Sequence, residues 1–284
     1  MAKKSLDIIK EIDYLYSFFK DEDHKTILNK LFNELLLTGW NVCQEVEKFN
    51  VTPHVFNDNM LKFYAETNAF IYECLIDGMK VDKRKKDNFI IDCIIRYYKD
   101  KKIKILCYGD GIGLDSQIYA ERGYDVFYFD FSGPTSEFAM HRLKEKKLIN
   151  KVTFINKEEE LVNNSFDVII CREVLEHIEM PIDTIKNLWN FLKLDGVCFL
   201  SESFSRVEEC FPTHLHSNLK YTDKILNIMI SSGFYYLDRF IDSNLYVFKK
   251  TNLEDEARYK SLPEIRLKTK IKKYLKDTLF YYLS

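Results

Sequence analysis

Apolar residues recur at helical spacing through the first hundred positions: Leu6, Ile9, Ile12 and Leu15, then Ile27, Leu31, Leu35 and Leu36. Thr52-Pro53 and Asp87-Asn88 have the look of further helix starts, so about five helices are expected over 1–100. After residue 102 the pattern changes to short β-branched and aromatic runs alternating with helical segments. Strands are predicted at Ile103–Tyr108, Asp125–Phe129, Val152–Ile155, Phe166–Cys171, Gly196–Ser201, Tyr235–Phe240 and Leu245–Lys249. Helices are predicted at Leu114–Arg122, Pro134–Leu148, Ile182–Leu192 and Thr222–Ser232. Such alternation builds right-handed βαβ units and a mainly parallel sheet. Only Ile241-Asp242-Ser243-Asn244 separates the last two strands, which makes them a hairpin and sets the last one antiparallel. Three regions follow: helices over 1–100, an α/β domain over 101–250 and a tail over 251–284. In the tail, Leu267, Ile271, Tyr274, Leu275 and Leu279 share a helical face among Lys268, Lys270, Lys272, Lys273 and Lys276. The tail reads as a basic amphipathic helix, solvated on its polar face and docked on the body.

Length and charge narrow the picture. The 284 residues suffice for one α/β domain with a sizeable appendage. A formal charge of −2 gives no general attraction to nucleic acid or an anionic membrane. The seven cysteines, at 43, 74, 93, 107, 171, 198 and 210, form no CxxC pair, and several lie in apolar runs. Reduced, buried cysteine is expected rather than disulfides or zinc. Met1-Ala2-Lys3-Lys4-Ser5 leads into no secretory core, and no transmembrane run of 18 apolar residues occurs, so a cytoplasmic location is expected.

The chemistry begins at Gly109-Asp110-Gly111-Ile112-Gly113, a glycine turn between the first predicted strand and the helix after it. Glycines there allow a sharp turn and let a ligand lie against the main chain. Asp130 ends the next strand, 21 residues after Gly109, where a carboxylate can accept from both hydroxyls of a ribose. A dinucleotide would require Gly-x-Gly-x-x-Gly with a helix N-terminus facing its pyrophosphate. Here Leu114-Asp115 follows the third glycine, and an acidic side chain suits an ammonium and sulfonium ligand better.

These segments resemble those of class I S-adenosylmethionine (SAM)-dependent methyltransferases. Tyr108–Gly113 is similar to their first motif, and Gly123–Asp130 to their second strand. Ser165–His177 resembles the fourth strand and following helix of the UbiG-like small-molecule branch. Leu192–Val197 and Ser232-Gly233-Phe234 are similar to the turns into the fifth and sixth strands. The resemblance covers about residues 100–250 and implies a Rossmann-like seven-stranded sheet of order 3-2-1-4-5-7-6, strand 7 antiparallel, with SAM as cofactor. It further implies that Gly109, Gly111 and Gly113 lie under the methionine part and that Asp130 binds the ribose. Phe131 would pack on the adenine, and Cys171 and Arg172 would floor the site near the sulfonium. Two positions depart from the family. Cys107 stands where an acid is usual, leaving Asp110 or Asp115 as substitutes. Asn156 or Glu158 must serve for the acidic adenine contact after the third strand.

For the transfer itself, the polar cluster Glu173, Glu176 and His177 is expected on one face of a helix at the carboxyl edge of the sheet. The alternative is an ordinary acidic helix start. His214 and His216, in the loop after the fifth strand, would share a side if extended. Tyr64 and Tyr72 are placed to reach the site from the helical region, which would act as a lid or specificity subdomain. His24, His54 and His141 receive no role. The expected activity is O-methylation of a small-molecule acceptor, such as a sugar, a nucleotide-linked precursor or a secondary metabolite, without metal and with a histidine base. The alternatives are a metal-dependent RNA 3′-terminal ribose methyltransferase and a non-catalytic module that binds SAM or S-adenosylhomocysteine (SAH).

Overall fold

The computed structural model describes residues 8–99, 101–241, 243–254 and 257–258; the expected tail helix lies outside the described residues. Six α-helices precede the sheet among the described residues, against about five expected: α1 (Ile8–Phe18), α2 (His24–Leu36), α3 (Trp40–Val46), α4 (Asp58–Glu66), α5 (Ala69–Met79) and α6 (Val81–Tyr98). Neither expected extra start holds. Thr52-Pro53 lies in the loop ahead of α4, which begins at Asp58 because the Asn57 side chain accepts from the Met60 amide (3.0 Å). Asp87-Asn88 falls inside α6.

The strands are β1 (Lys104–Tyr108), β2 (Asp125–Phe129), β3 (Val152–Ile155), β4 (Phe166–Arg172), β5 (Leu192–Ser201), β6 (Phe234–Arg239) and β7 (Tyr246–Lys250). Helices α7 (Leu114–Glu121), α8 (Pro134–Glu145), α9 (Pro181–Phe191) and α10 (Ile225–Ser231) lie between them. The seven strands form one sheet of order β3-β2-β1-β4-β5-β7-β6. β1 to β5 pair in parallel, and β7 runs antiparallel to both β5 and β6, as the short hairpin requires. This is the Rossmann-like methyltransferase topology. β5 starts four residues before the expected Gly196, because Leu192 pairs with Phe166 across an irregularity in register.

Apolar side chains fill both faces of the sheet. Ile105, Val168 and Phe199 meet Ile90 and Ile94 of α6 on one face; Leu106, Ile169 and Leu200 meet Leu188 and Met229 on the other. β4, central and parallel, is accordingly apolar almost without interruption. The N-terminal helices share this body. Leu15, Ile27, Tyr72 and Leu75 pack with Ile112 of the glycine turn and Phe138 of α8. A fully buried ion pair, Glu11 to Arg142 at 2.6 Å, ties α1 to α8. Among the described residues no helix is long and apolar enough to cross a membrane.

Candidate active site

β1 ends in the glycine turn. Gly109, Gly111 and Gly113 have φ of +71°, +52° and +74°, conformations that L side chains rarely adopt. Asp110 closes this turn onto α7: its carboxylate accepts from the amides of Asp115 and Ser116, both at 2.8 Å. Those amides are the ones a pyrophosphate would need, so the start of α7 offers little to a dinucleotide. Burial, with Asp115 nearby, pushes the Asp110 pKa up to about 7. The sequence placed Asp110 or Asp115 against the cofactor; the structure gives Asp110 a helix cap and ties Asp115 to Arg172.

Asp130 stands at the end of β2. It accepts from the amides of Gly111 and Phe131, the latter at 2.6 Å. Two of about four lone-pair positions on a carboxylate are then taken, leaving capacity for a vicinal diol. Burial raises its pKa to about 6, against the pull of those two bonds. Phe131 is half exposed beside it, its ring centroid 6.1 Å from that of Tyr64. Asn156 is exposed after β3. Its rival Glu158 instead accepts from the Tyr108 hydroxyl (2.6 Å) and the Asn187 amide (3.1 Å). The positive-φ glycine turn, the spare acceptors of Asp130 and the half-exposed Phe131 ring together fit an adenosyl group carrying a methionine tail.

β4 ends beside β1, and the side chains of its last two residues are buried. The Cys171 side chain is fully buried in the core rather than flooring the site. Arg172 is buried and bonded to Asp115 and, at 2.9 Å, to Asp87 of α6. A guanidinium committed to two carboxylates is a structural strut. Only the backbone of these two residues remains for the cofactor edge.

The expected helix over Glu173–His177 is also absent. Glu173 adopts φ +53° and Leu175–His177 form a single 3₁₀ turn, so the three polar residues do not share one face. Glu173 swings aside to accept from the Ser203 hydroxyl and the Asn244 amide. Desolvation alone would raise its pKa, but those hydrogen bonds hold it below the usual range. Glu176 and His177 instead converge with His214, their ligating atoms all within 4.8 Å of one another. Glu176 is 1% exposed, and neither of its oxygens has a hydrogen-bond partner among the described residues. Burial, with Glu173 nearby, drives its pKa well up. His177 Nδ1 lies 3.2 Å from the Thr213 carbonyl and 3.1 Å from the Tyr64 hydroxyl. Burial and the adjacent His214 push the His177 pKa down to about 3; burial pushes that of His214 to about 4. Both imidazoles are therefore neutral near pH 7.

The two loop histidines part company. His214 turns inward, its ring centroid 4.7 Å from that of His177, while His216 begins a 3₁₀ turn and faces solvent beside His54. Of the two tyrosines, Tyr64 reaches the site from α4. Tyr72 is buried among helices, stacked on Phe19. His54 has no role on sequence grounds, yet its Nδ1 bonds the His214 carbonyl (2.8 Å), and its own amide donates to the Pro212 carbonyl (2.7 Å). These bonds pin the loop that carries His214. Ser203, Asn244 and the Thr213 carbonyl were equally invisible, since no local pattern marks a residue whose partner is distant in the chain.

Comparison with known proteins gives a concordant picture. A family model described as a methyltransferase domain matches residues 83–253. The ubiquinone biosynthesis O-methyltransferase of Rickettsia canadensis is 32% identical over 126 residues, 43% of this chain and 52% of that protein. The protein of the same name from Histophilus somni is 35% identical over 104 residues, 34% of this chain and 44% of that one. The chain thus spans about half the length of the curated relatives it matches. A SAM-dependent methyltransferase structure from Methanosarcina mazei is 18% identical, with a TM-score of 0.43, over 57% of this chain and 98% of that one.

Proposed function

Since the chain belongs to the methyltransferase-domain family, with SAM as its cofactor, we propose that it transfers the methyl group of SAM to a hydroxyl oxygen of a small-molecule acceptor. The observation that carries this is the pairing of two features on adjacent strands. The glycine turn leaves β1 toward Asp130, and the Glu176–His177–His214 cluster follows β4. SAM supplies an activated methyl group; the protein has to align the acceptor, exclude water and accept a proton. Gly109, Gly111 and Gly113 would lie against the methionine part, Asp130 would hold the ribose diol, and Phe131 would cover the adenine. His177 is the proposed proton acceptor: when Nδ1–H donates to the Thr213 carbonyl, Nε2 carries the free lone pair. Helices α1–α6 would be the lid that selects the acceptor, with Tyr64 as its contact to His177. Acceptors of the kinds named above, sugars and nucleotide-linked precursors among them, remain the class proposed, and O-methylation accords with the names of the curated relatives.

The test is SAH release from SAM across a panel of hydroxylated acceptors. Acceptor-dependent turnover is expected, with His177→Ala slower by about 10²–10⁴-fold. Tight SAM binding with no acceptor-dependent turnover anywhere in the panel would favour a non-catalytic binding module.

One observation supports a second route for the proton. A buried carboxyl group whose two oxygens have no partner among the described residues is costly, and two neutral imidazoles lie beside it. That is a donor set a divalent cation could use, and a cation would lower the acceptor's pKa directly. On this route, chelator stops turnover and added Mg²⁺ or Mn²⁺ restores it. On the histidine route, chelator has no effect.

A further inference from the structure

A cleft of about 230 Å³ opens beyond the carboxyl end of β5, against the β6–β7 hairpin. It adjoins the transfer site through Glu173, whose carboxylate is held by two cleft residues, Ser203 and Asn244. The lining is polar and charged. Arg239 stands against Tyr246, its guanidinium 4.9 Å from the ring centroid, and its Nε donates to the Ser243 carbonyl at 2.6 Å. Its two terminal nitrogens take no partner among the described residues. The result is an oriented guanidinium fork, fixed in plane, with two terminal nitrogens, each carrying two N–H donors, to spare. Around it lie a second guanidinium, that of Arg206, which stacks on Phe211 and pairs with Glu208 at 3.7 Å, the carboxylates of Glu202 and Asp223 and the hydroxyls of Ser205 and Thr222. The Thr222 Oγ1 is buried and has no partner among the described residues.

These groups select against an apolar acceptor, which would strip water from two guanidiniums and two carboxylates and return nothing. They suit a ligand with one anion to meet the fork and several hydroxyls to meet Glu202, Asp223, Ser205 and Thr222. The volume falls below the roughly 300–1,000 Å³ of pockets for drug-sized ligands, so a single ring or the end of a longer molecule fits. We propose that this cleft is the acceptor's anchoring subsite, that the acceptor is a small polyhydroxylated compound bearing a carboxylate or phosphate, and that Arg239 binds that anion. The proposal rests on the methyl-transfer reading above.

The full chain loaded with SAH can be titrated with glucose 6-phosphate, glucuronate and neutral methyl glucoside, following binding by calorimetry or NMR. At least one anionic sugar should bind, and the neutral one about tenfold more weakly or not at all. Preference for glucose 6-phosphate assigns the anion as phosphate, and preference for glucuronate as carboxylate. Arg239→Gln should weaken the anionic sugar by about 10–100-fold, the range for hydrogen bonds to a charged group. Thr222→Val, which removes only a hydroxyl, should weaken it by about 2–10-fold. SAH affinity, read in the same samples, should not change in either variant. Binding that survives Arg239→Gln, or no anion binding to SAH-loaded wild type, overturns the subsite while leaving the methyl-transfer reading intact. Failure of the wild-type chain to bind SAH overturns the methyl-transfer reading instead.

Discussion

At Asp130, burial and hydrogen bonding pull in opposite directions, and burial wins, with a pKa pushed up to about 6. Only the ionised carboxylate can accept from both ribose hydroxyls while it holds the Gly111 and Phe131 amides. Above pH 6 the site is ready; below it, binding must compete with protonation. SAM affinity should therefore fall by roughly tenfold per pH unit below 6, and Asp130→Asn should flatten that dependence. Calorimetry at pH 5 and pH 7.5 checks both. At pH 7.5, Asp130→Ala should lose about 1.5–3 kcal/mol of SAM binding. Gly111→Arg should abolish it, because φ is +52° there and a Cβ would already stand 3.1 Å from Cys74 Sγ of α5. His177 should leave no ionisation in the kcat profile between pH 5 and 8, since its pKa lies near 3. The glycines and Asp130 were legible as candidates because strand, turn and acid are all local signals. The burial of the Cys171 side chain and the pairing of Arg172 with Asp87, 85 residues away, were not legible, because both are facts of packing.

Most elements followed from hydrophobic period alone. β2 and β3 lie where predicted, and the hairpin fixes β7. The failures sit where a single residue overrides the period. Glu173 takes a left-handed conformation that stops a helix before it begins. Asn57, not Thr52, caps α4. Helix α1 has a different kind of anchor. Glu11 is wholly buried and meets both Arg142 and Lys146, the latter at 2.9 Å. Glu11→Ala would leave the buried Arg142 guanidinium without its counter-charge, held only by the Gln117 side-chain oxygen and the Gly113 carbonyl, at a cost of about 3–5 kcal/mol. Urea unfolding should show that loss as a lower midpoint with an unchanged slope. A shift below 1 kcal/mol would mean that water and the bonds to Gln117 and Gly113 suffice for Arg142.

Across the whole molecule, α6 packs on the sheet, and α1, α2 and α5 share a buried cluster with the glycine turn and α8. Deleting residues 1–50 would expose Ile71, Tyr72, Leu75 and Phe138, so the truncated chain should melt well below the full one. A milder change isolates the proposed lid contact. Tyr64→Phe should keep the fold and SAM affinity but slow turnover by about 2–10-fold, the worth of one neutral hydrogen bond to His177. A truncated chain that melts normally and turns over normally would reduce these helices to an attachment.

The sequence by itself determined the alternation of strands and helices, the glycine turn, the acid at the end of β2 and the direction of the last strand. Each of these is written in neighbouring residues, through side-chain period, backbone freedom or loop length. Tertiary structure alone decided which polar groups meet. It sent Glu173 to Ser203 and Asn244, brought His214 rather than His216 to His177, and committed Arg172 to Asp87 and Asp115. It also left the two terminal nitrogens of Arg239 without a partner among the described residues, beside a cleft. Such pairings are set by desolvation: once packing has taken a charge or ring out of water, it is fixed by whichever partner the fold brings within reach.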